Sequence, residues 1–144
     1  MRVMPSGDMM GVGFRKEVKL LVVDDPSDHF EQIRSHAEMY SSQVHVECKL
    51  AEQIEDAKKT VEAWKPTVVL VDTHVIGEAL ALIKALSQMG PAVVAMSEHR
   101  IPELVETCQS YGAVGYLSKS DNPDDIENLI SYVASVSVAD PVSH

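Results

Sequence analysis

Scarce residue types exclude several classes of protein for this chain. Only two cysteines occur among its 144 residues, and both Cys48 and Cys108 lie within apolar patterns. We interpret them as free thiols buried in a protein of a reducing compartment, in preference to a disulfide or a zinc pair. Basic residues are also few, since 12 Lys and Arg oppose 22 Asp and Glu for a formal net charge of -10. General nucleic-acid binding requires a basic face, so no direct contact with nucleic acid is expected.

Long apolar runs are missing as well. No segment of the sequence approaches the roughly 18 to 20 consecutive apolar residues that a membrane-spanning helix needs. The N-terminus carries the turn-forming run from Pro5 to Asp8 where a secretory signal would have an unbroken apolar stretch. We therefore expect a cytoplasmic protein without membrane association, in which residues 1–16 form a flexible leader and residues 137–144 a flexible tail.

What the sequence does contain is a regular alternation of apolar strands and amphipathic helices. Its 45% hydrophobic content and its length suit one domain with an ordinary core. Apolar runs and period-two patterns predict strands at 18–25, 44–50, 67–72, 91–97 and 113–119. Apolar residues at helical spacing predict helices over about 30–40, 54–64, 78–89, 102–111 and 121–136. Five such repeats predict a doubly wound α/β domain over residues 17–136, a parallel sheet with helices on both faces.

Particular residues mark where the predicted helices stop. Lys65 and Pro66 end the second helix, because proline disfavours the helical conformation in the residue before it. Gly90 and Gly112 follow the third and fourth helices. Glycine can adopt the positive φ angle that ends a helix, so short connections to the next strands are expected there.

Polar side chains stand at the carboxyl ends of four predicted strands: Asp24 and Asp25, Asp72, Ser97, and Lys119. In an open parallel sheet these ends meet at one edge, where ligands bind. Three neighbouring carboxylates stay ionised only when a cation neutralises them, and oxygen ligands suit a hard ion such as Mg²⁺. An ammonium and a hydroxyl beside them supply donors for a further anionic group. This set predicts a phosphoryl site in which Asp72 is the nucleophile.

These strand-tip residues resemble those of the receiver domain of two-component response regulators, and the resemblance runs from Val18 to Ser135. It implies a flavodoxin-like (βα)5 fold whose five-stranded sheet has the order 2-1-3-4-5. The acidic pair in the segment VVDD would hold Mg²⁺, with Asp25 as a direct ligand and Asp24 as its supporting partner. Asp72 matches the aspartate that accepts the phosphoryl group.

The resemblance also implies roles for residues around Asp72. The backbone carbonyl of His74 would complete the metal shell. Ser97 matches the hydroxyl residue that follows the phosphate on activation, and Lys119 matches the lysine that pairs with the phosphate. Tyr116 matches the aromatic residue whose rotamer changes with the switch.

The function implied by the resemblance is a switch in a two-component phosphorelay. A sensor histidine kinase or a phosphotransfer protein would donate the phosphoryl group to Asp72 in the presence of Mg²⁺, and the chain would act as a stand-alone receiver. Apart from its own phosphorylation and slow dephosphorylation, the protein would not be an enzyme. A downstream protein would bind the face formed by the fourth helix, the fifth strand and the fifth helix.

Departures from the receiver pattern support an alternative, a degenerate receiver that binds proteins without being phosphorylated. Ile76 stands where the family commonly has proline, and the loop after Asp72 is about one residue short. Ser120 replaces another usual proline, and Glu98 follows Ser97 where a small residue is favoured. The complete acceptor set favours the active form, so the sequence leaves both interpretations standing.

Two other chemistries use an aspartate at a strand end. The motif D-x-H-x-x-G at residues 72–77 is known from cobalamin-binding domains, where it follows the first strand and a paired-glycine turn comes later. Here it follows the third predicted strand and no Gly-Gly pair occurs, so cobalamin binding is a remote alternative. Phosphohydrolases of the haloacid-dehalogenase type need a second aspartate two residues after the first, and this chain has His74 there.

Overall fold

Strands and helices alternate along the chain in a computed structural model, which describes residues 16–24, 28–39, 44–74, 76–98, 101–118, 127–132 and 135. The elements are β1 (Lys16–Val23), α1 (Asp28–Glu38), β2 (Val44–Ala51), α2 (Ile54–Trp64), β3 (Val68–Asp72), α3 (Ile76–Ser87), β4 (Ala92–Ser97), α4 (Pro102–Ser110) and β5 (Gly115–Ser118). Residues 127–132 and 135 are helical and belong to α5. The strands pair in parallel in the order β2-β1-β3-β4-β5, which confirms the predicted doubly wound fold.

Two apolar clusters, one on each face of the sheet, form the core. The central strands β1 and β3 contribute alternate side chains to both clusters, which is why their sequences are almost unbroken apolar runs. The cluster under α1 and α5 includes Val18, Leu20, Val22, Ile33, Val68, Leu70, Met96 and Ile130. The cluster under α2, α3 and α4 includes Leu21, Val61, Val69, Val71, Ile83, Leu86, Ala95 and Cys108.

Residues with positive φ angles follow three of the described helices, α2, α3 and α4. Gly90 and Gly112, which follow α3 and α4, both have φ of +121°, which confirms their predicted role. Lys65 caps α2 with φ of 54° and ψ of 63°, and its N–H donates to the carbonyl of Val61 at 3.0 Å. Among the helices in the described part of the chain, none combines the length and the apolar character that crossing a bilayer requires.

The two cysteines are free thiols, as the sequence indicates, but they differ in burial. Cys108 is fully buried in the cluster under α4. Cys48 is only partly buried, because it lies on β2 at the edge of the sheet, so the prediction of a buried thiol is corrected for this residue. Burial nevertheless raises the pKa of the Cys48 thiol to about 12, so the thiol is protonated at neutral pH.

Candidate functional site

The carboxyl ends of β1 and β3 bring two predicted acidic residues side by side. Val23 pairs with Val71, so Asp24 and Asp72 follow at the same level on neighbouring strands. Neighbouring strands lie about 4.8 Å apart, which makes these two residues direct neighbours. The N–H of Asp24 donates to the carbonyl of Ala51 at 3.1 Å, which extends the pairing of β1 with β2 by one residue.

Asp24 and Asp72 share an open cleft of about 130 Å³ with His74. Asp24 is 7% exposed, Asp72 is half-buried, and His74 is exposed at the mouth of the cleft. A buried carboxylate beside a second carboxylate favours the approach of a cation, because the two negative charges repel each other. The structure thus places Asp24, Asp72 and His74 in one cleft, and their role in holding a metal ion stays a prediction.

The same cleft has two further acidic residues that the sequence did not single out. Glu52, in the loop between β2 and α2, and Glu78, in the first turn of α3, both line the cleft and are exposed to solvent. Their convergence depends on β1 lying between β2 and β3, which no local pattern of residues reveals. The only signal in the sequence is that Glu52 lies two residues beyond the end of a predicted strand, near the level at which Asp24 and Asp72 end theirs.

Ser97 and Tyr116 lie on the next two strands along the sheet. Asp72 pairs with Met96, so Ser97 is one residue beyond the level of Asp72 on β4. Tyr116 pairs with Ala95, and the half-buried tyrosine packs against the cluster under α2, α3 and α4. Paired residues of parallel strands project to the same face of the sheet, so Tyr116 is on the face that β4 presents to α4. This arrangement matches the adjacent strands predicted for the two residues.

Thr73 is a buried polar residue at this edge that the sequence analysis missed. It follows Asp72, is only 7% exposed, and donates hydrogen bonds to the carbonyl of Met96 from both its backbone N–H and its hydroxyl. Thr73 continues the alternation of Val69 and Val71, which face the cluster under α3. One signal for Thr73 was available in the sequence. A hydroxyl residue stands at a position where continued alternation of β3 would place an apolar side chain.

Two predicted site residues, Asp25 and Lys119, lie outside the described residues. Each directly follows a described residue of the site edge, namely Asp24 and the β5 residue Ser118. Within the part of the chain that the structure describes, no group of three His, Cys, Asp or Glu side chains could hold a metal ion. The described donors still fit a hard cation in kind, because Asp24 and Asp72 present carboxylate oxygens at neighbouring strand ends.

Comparison with known proteins identifies the family. The model of the response regulator receiver domain matches residues 20–131, which is most of the chain and includes every strand tip described above. The chain belongs to this family. No curated protein matches the sequence.

Solved receiver structures share the fold at low sequence identity. A response regulator from Thermotoga maritima is 22% identical with a TM-score of 0.72, and the match covers 85% of this chain and 99% of that one. A two-component response regulator from Clostridium difficile is 18% identical with a TM-score of 0.70, covering 85% and 97% of the two chains. The receiver domain of the Francisella response regulator 1452 is 20% identical with a TM-score of 0.69, covering 84% and 97%. At these identities the likeness concerns the fold alone.

Membership in the family fixes the general role of the chain. It is a receiver domain of two-component signal transduction, and such domains are generally phosphoacceptor switches and not catalysts. Receiver domains typically depend on Mg²⁺ and have histidine kinases as partners. The glycine of the D-x-H-x-x-G motif at residues 72–77, Gly77, lies within α3 and not in a ligand-binding loop.

Proposed function

We propose that this receiver domain is competent for phosphorylation and that Asp72 accepts the phosphoryl group. The observation that carries the proposal is the adjacency of Asp24 and Asp72 at the ends of β1 and β3, in one cleft of a chain from the receiver family. The donor is a phosphohistidine on a sensor kinase or a phosphotransfer protein.

The transfer itself needs little from the protein beyond position and charge. A carboxylate oxygen of Asp72 attacks the phosphorus and the bond between phosphorus and the donor imidazole nitrogen breaks, its electron pair staying on that nitrogen. The donor ring, protonated on its other nitrogen, leaves as neutral imidazole. Asp24, Asp25, Asp72 and the backbone carbonyl of His74 are the groups that would hold Mg²⁺. The bound ion would supply positive charge against the phosphoryl oxygens. Lys119 would pair with the same oxygens, as its match to the family lysine implies.

The proposed output is a change on the face formed by α4, β5 and α5. When Ser97 moves toward a phosphoryl group on Asp72, space opens beside Tyr116, which packs on the same side of the sheet. Rotation of Tyr116 into that space would alter the face that a downstream protein contacts. Such a switch is a shift between two existing conformations.

A degenerate receiver is the second candidate, and Glu98 is the observation that favours it. Glu98 is exposed directly after Ser97 and adds negative charge at the end of β4. Because an exposed charge is strongly screened by salt, Glu98 is expected to slow phosphorylation without preventing it. The active form is therefore the better-supported candidate.

Phosphorylation by a small donor tests the proposed function. The purified chain is incubated with acetyl phosphate and Mg²⁺, and its intact mass is measured. We expect the wild type to gain the mass of one phosphoryl group, and Asp72→Asn to gain none while remaining folded.

Asp56→Asn is the matched control for this experiment. Asp56 is an exposed aspartate in the first turn of α2 and is not among the residues that line the cleft. This variant makes the same chemical change and should be phosphorylated like the wild type. Phosphate gain by Asp72→Asn contradicts the assignment of Asp72, and no gain by the wild type supports the degenerate receiver.

A further inference from the structure

Thr73 is joined to the neighbouring strand by two hydrogen bonds that end on one atom. Its backbone N–H donates to the carbonyl oxygen of Met96 at 2.8 Å, and its side-chain hydroxyl donates to the same oxygen at 3.0 Å. A carbonyl oxygen has two lone pairs, so it can accept both bonds. Thr73 is 7% exposed and Met96 is fully buried, so water does not compete for this oxygen.

The bonded carbonyl belongs to the peptide unit that joins Met96 to Ser97. A peptide unit is planar and moves as one piece, so a bond to its oxygen also restricts the backbone nitrogen of Ser97. On the other strand, the nitrogen of Thr73 belongs to the peptide unit that begins at Asp72. The backbones of Asp72, the proposed phosphoacceptor, and of Ser97 are thus connected through one acceptor atom, the carbonyl oxygen of Met96.

The two bonds differ in what they require from the sequence. The bond from the backbone N–H continues the pairing of β3 with β4, and any residue except proline could make it. The bond from the side chain requires a hydroxyl, which threonine or serine can supply. An apolar residue of the same shape would therefore lose the hydrogen bond from the side chain of residue 73 to the carbonyl of Met96.

We propose that Thr73 is a positioning residue that holds the backbone of Ser97 against the strand of Asp72 and so sets how tightly the site closes on a phosphoryl group. The inference rests on the proposed function, because it assumes that Asp72 carries the phosphoryl group. The hydroxyl of Thr73 acts through Ser97 and does not touch the phosphate. A group that is already in position costs less to order when the ligand binds.

Three variants test the proposal through the affinity for beryllofluoride, an analogue of aspartyl phosphate, in the presence of Mg²⁺. Thr73→Val removes the hydroxyl and keeps the shape, and Thr73→Ser keeps the hydroxyl. Thr67→Val makes the same change just before β3, at the opposite end of that strand, where the threonine is half-buried. We expect Thr73→Val to weaken binding about fivefold, the effect of one lost hydrogen bond, and the other two to stay within about twofold of the wild type.

The comparison separates positioning from a general effect on the fold. Thr73→Val binding as tightly as the wild type overturns the proposal. An equal loss of affinity in Thr73→Ser also overturns it, because the hydroxyl would then not matter. An equal loss in Thr67→Val overturns it as well, because the effect would then not be local.

Amide hydrogen exchange in the protein without ligand gives a second readout that does not depend on phosphorylation. Exchange at residue 73 and Ser97, corrected for intrinsic rates, should be several-fold faster in Thr73→Val than in Thr67→Val. If the wild type fails to bind beryllofluoride, the proposed function is wrong, and exchange alone decides the role of Thr73. Faster exchange in Thr73→Val then supports the proposal that Thr73 restrains the backbone of Ser97, and unchanged exchange overturns that proposal.

Discussion

Single charges around the strand tips are expected to affect how readily an anionic donor reaches Asp72. Glu98 is exposed and directly follows Ser97, so its backbone lies at the end of β4, next to the strand of the proposed phosphoryl site. If Asp72 is phosphorylated as proposed, the charge of Glu98 would repel anionic donors, and it would also oppose the negative charge that develops on an attacking water. The repulsion is weak, because the group is solvated and salt screens it within about 10 Å.

We expect Glu98→Ala to be phosphorylated by acetyl phosphate roughly two- to threefold faster than the wild type at low salt, and to lose the phosphoryl group faster as well. The difference should shrink as the salt concentration rises. Glu106→Ala, which removes an exposed charge on α4, is the control and should have little effect. Equal rates for Glu98→Ala and the wild type at low salt would show that Glu98 is not an electrostatic gate.

Cys48 makes the stability of the fold depend on alkaline pH. Burial raises the pKa of its thiol from the ordinary 9.0 to about 12. Between these values the unfolded chain loses this proton and the folded chain keeps it. The free energy of unfolding should therefore fall as the pH rises above about 9, by at most roughly 1.4 kcal/mol per pH unit from this group.

Urea unfolding at several pH values between about 8 and 10 measures this contribution. The wild type should lose stability more steeply with pH than Cys48→Ala, whatever the offset between the two proteins at neutral pH. Parallel slopes for the two proteins would mean that Cys48 is not protected from ionisation in the folded state.

At the scale of the elements, adding a side chain is less tolerable at the glycine after α4 than at the glycine after α3. Both Gly90 and Gly112 have φ of +121°, where a side chain is strained. A Cβ at Gly112 would lie 2.8 Å from the Cβ of Ser87, at the end of α3, whereas a Cβ at Gly90 would meet nothing within 4 Å. The contact with Ser87 therefore adds a steric cost at Gly112 alone.

We expect Gly90→Ala to lower the free energy of unfolding by about 1 to 2 kcal/mol and Gly112→Ala by more, about 3 kcal/mol. Chemical denaturation of both variants under the same conditions checks the order. A cost for Gly112→Ala no larger than that for Gly90→Ala would show that α3 moves away from the added methyl group without penalty.

The start of α3 shows where prediction of the elements from sequence fails. The pattern predicts a helix from Glu78, but α3 begins at Ile76 and includes Gly77, a residue with low helix propensity. Gly77 favours a later start, so the helix begins earlier than the propensity of its own first residues indicates. Local propensity therefore could not locate this boundary.

At the scale of the whole molecule, the alternation of apolar runs was sufficient to predict a parallel sheet with two covered faces. The strand order came from the resemblance to receivers and is confirmed. The meeting of Asp24 and Asp72 followed from their positions at strand ends. The positions of Glu52 and Glu78 in the cleft could not be predicted, because they depend on the order of the strands. The contacts of Thr73 could not be predicted either, because they depend on the register of β3 with β4.

The switch should be visible as a change on one face of the molecule. We expect beryllofluoride with Mg²⁺ to shift the ring resonances of Tyr116 and the amide resonances of α4. Trp64, at the C-terminal end of α2 and outside this face, is the internal control, and its ring resonances should shift little. Saturation of the site with no change at Tyr116 would contradict the coupling between Ser97 and the face formed by α4, β5 and α5.

The identity of the phosphorylated residue decides whether Asp72 is the phosphoacceptor. The protein is phosphorylated with acetyl phosphate and Mg²⁺ and reduced with borohydride, which converts an aspartyl phosphate to homoserine, and the peptides are sequenced by mass spectrometry. Homoserine at position 72, and at none of the neighbouring aspartates Asp24 and Asp25, is the predicted result. Homoserine at another aspartate, or at none in protein that has gained phosphate, would contradict the assignment of Asp72 as the phosphoacceptor.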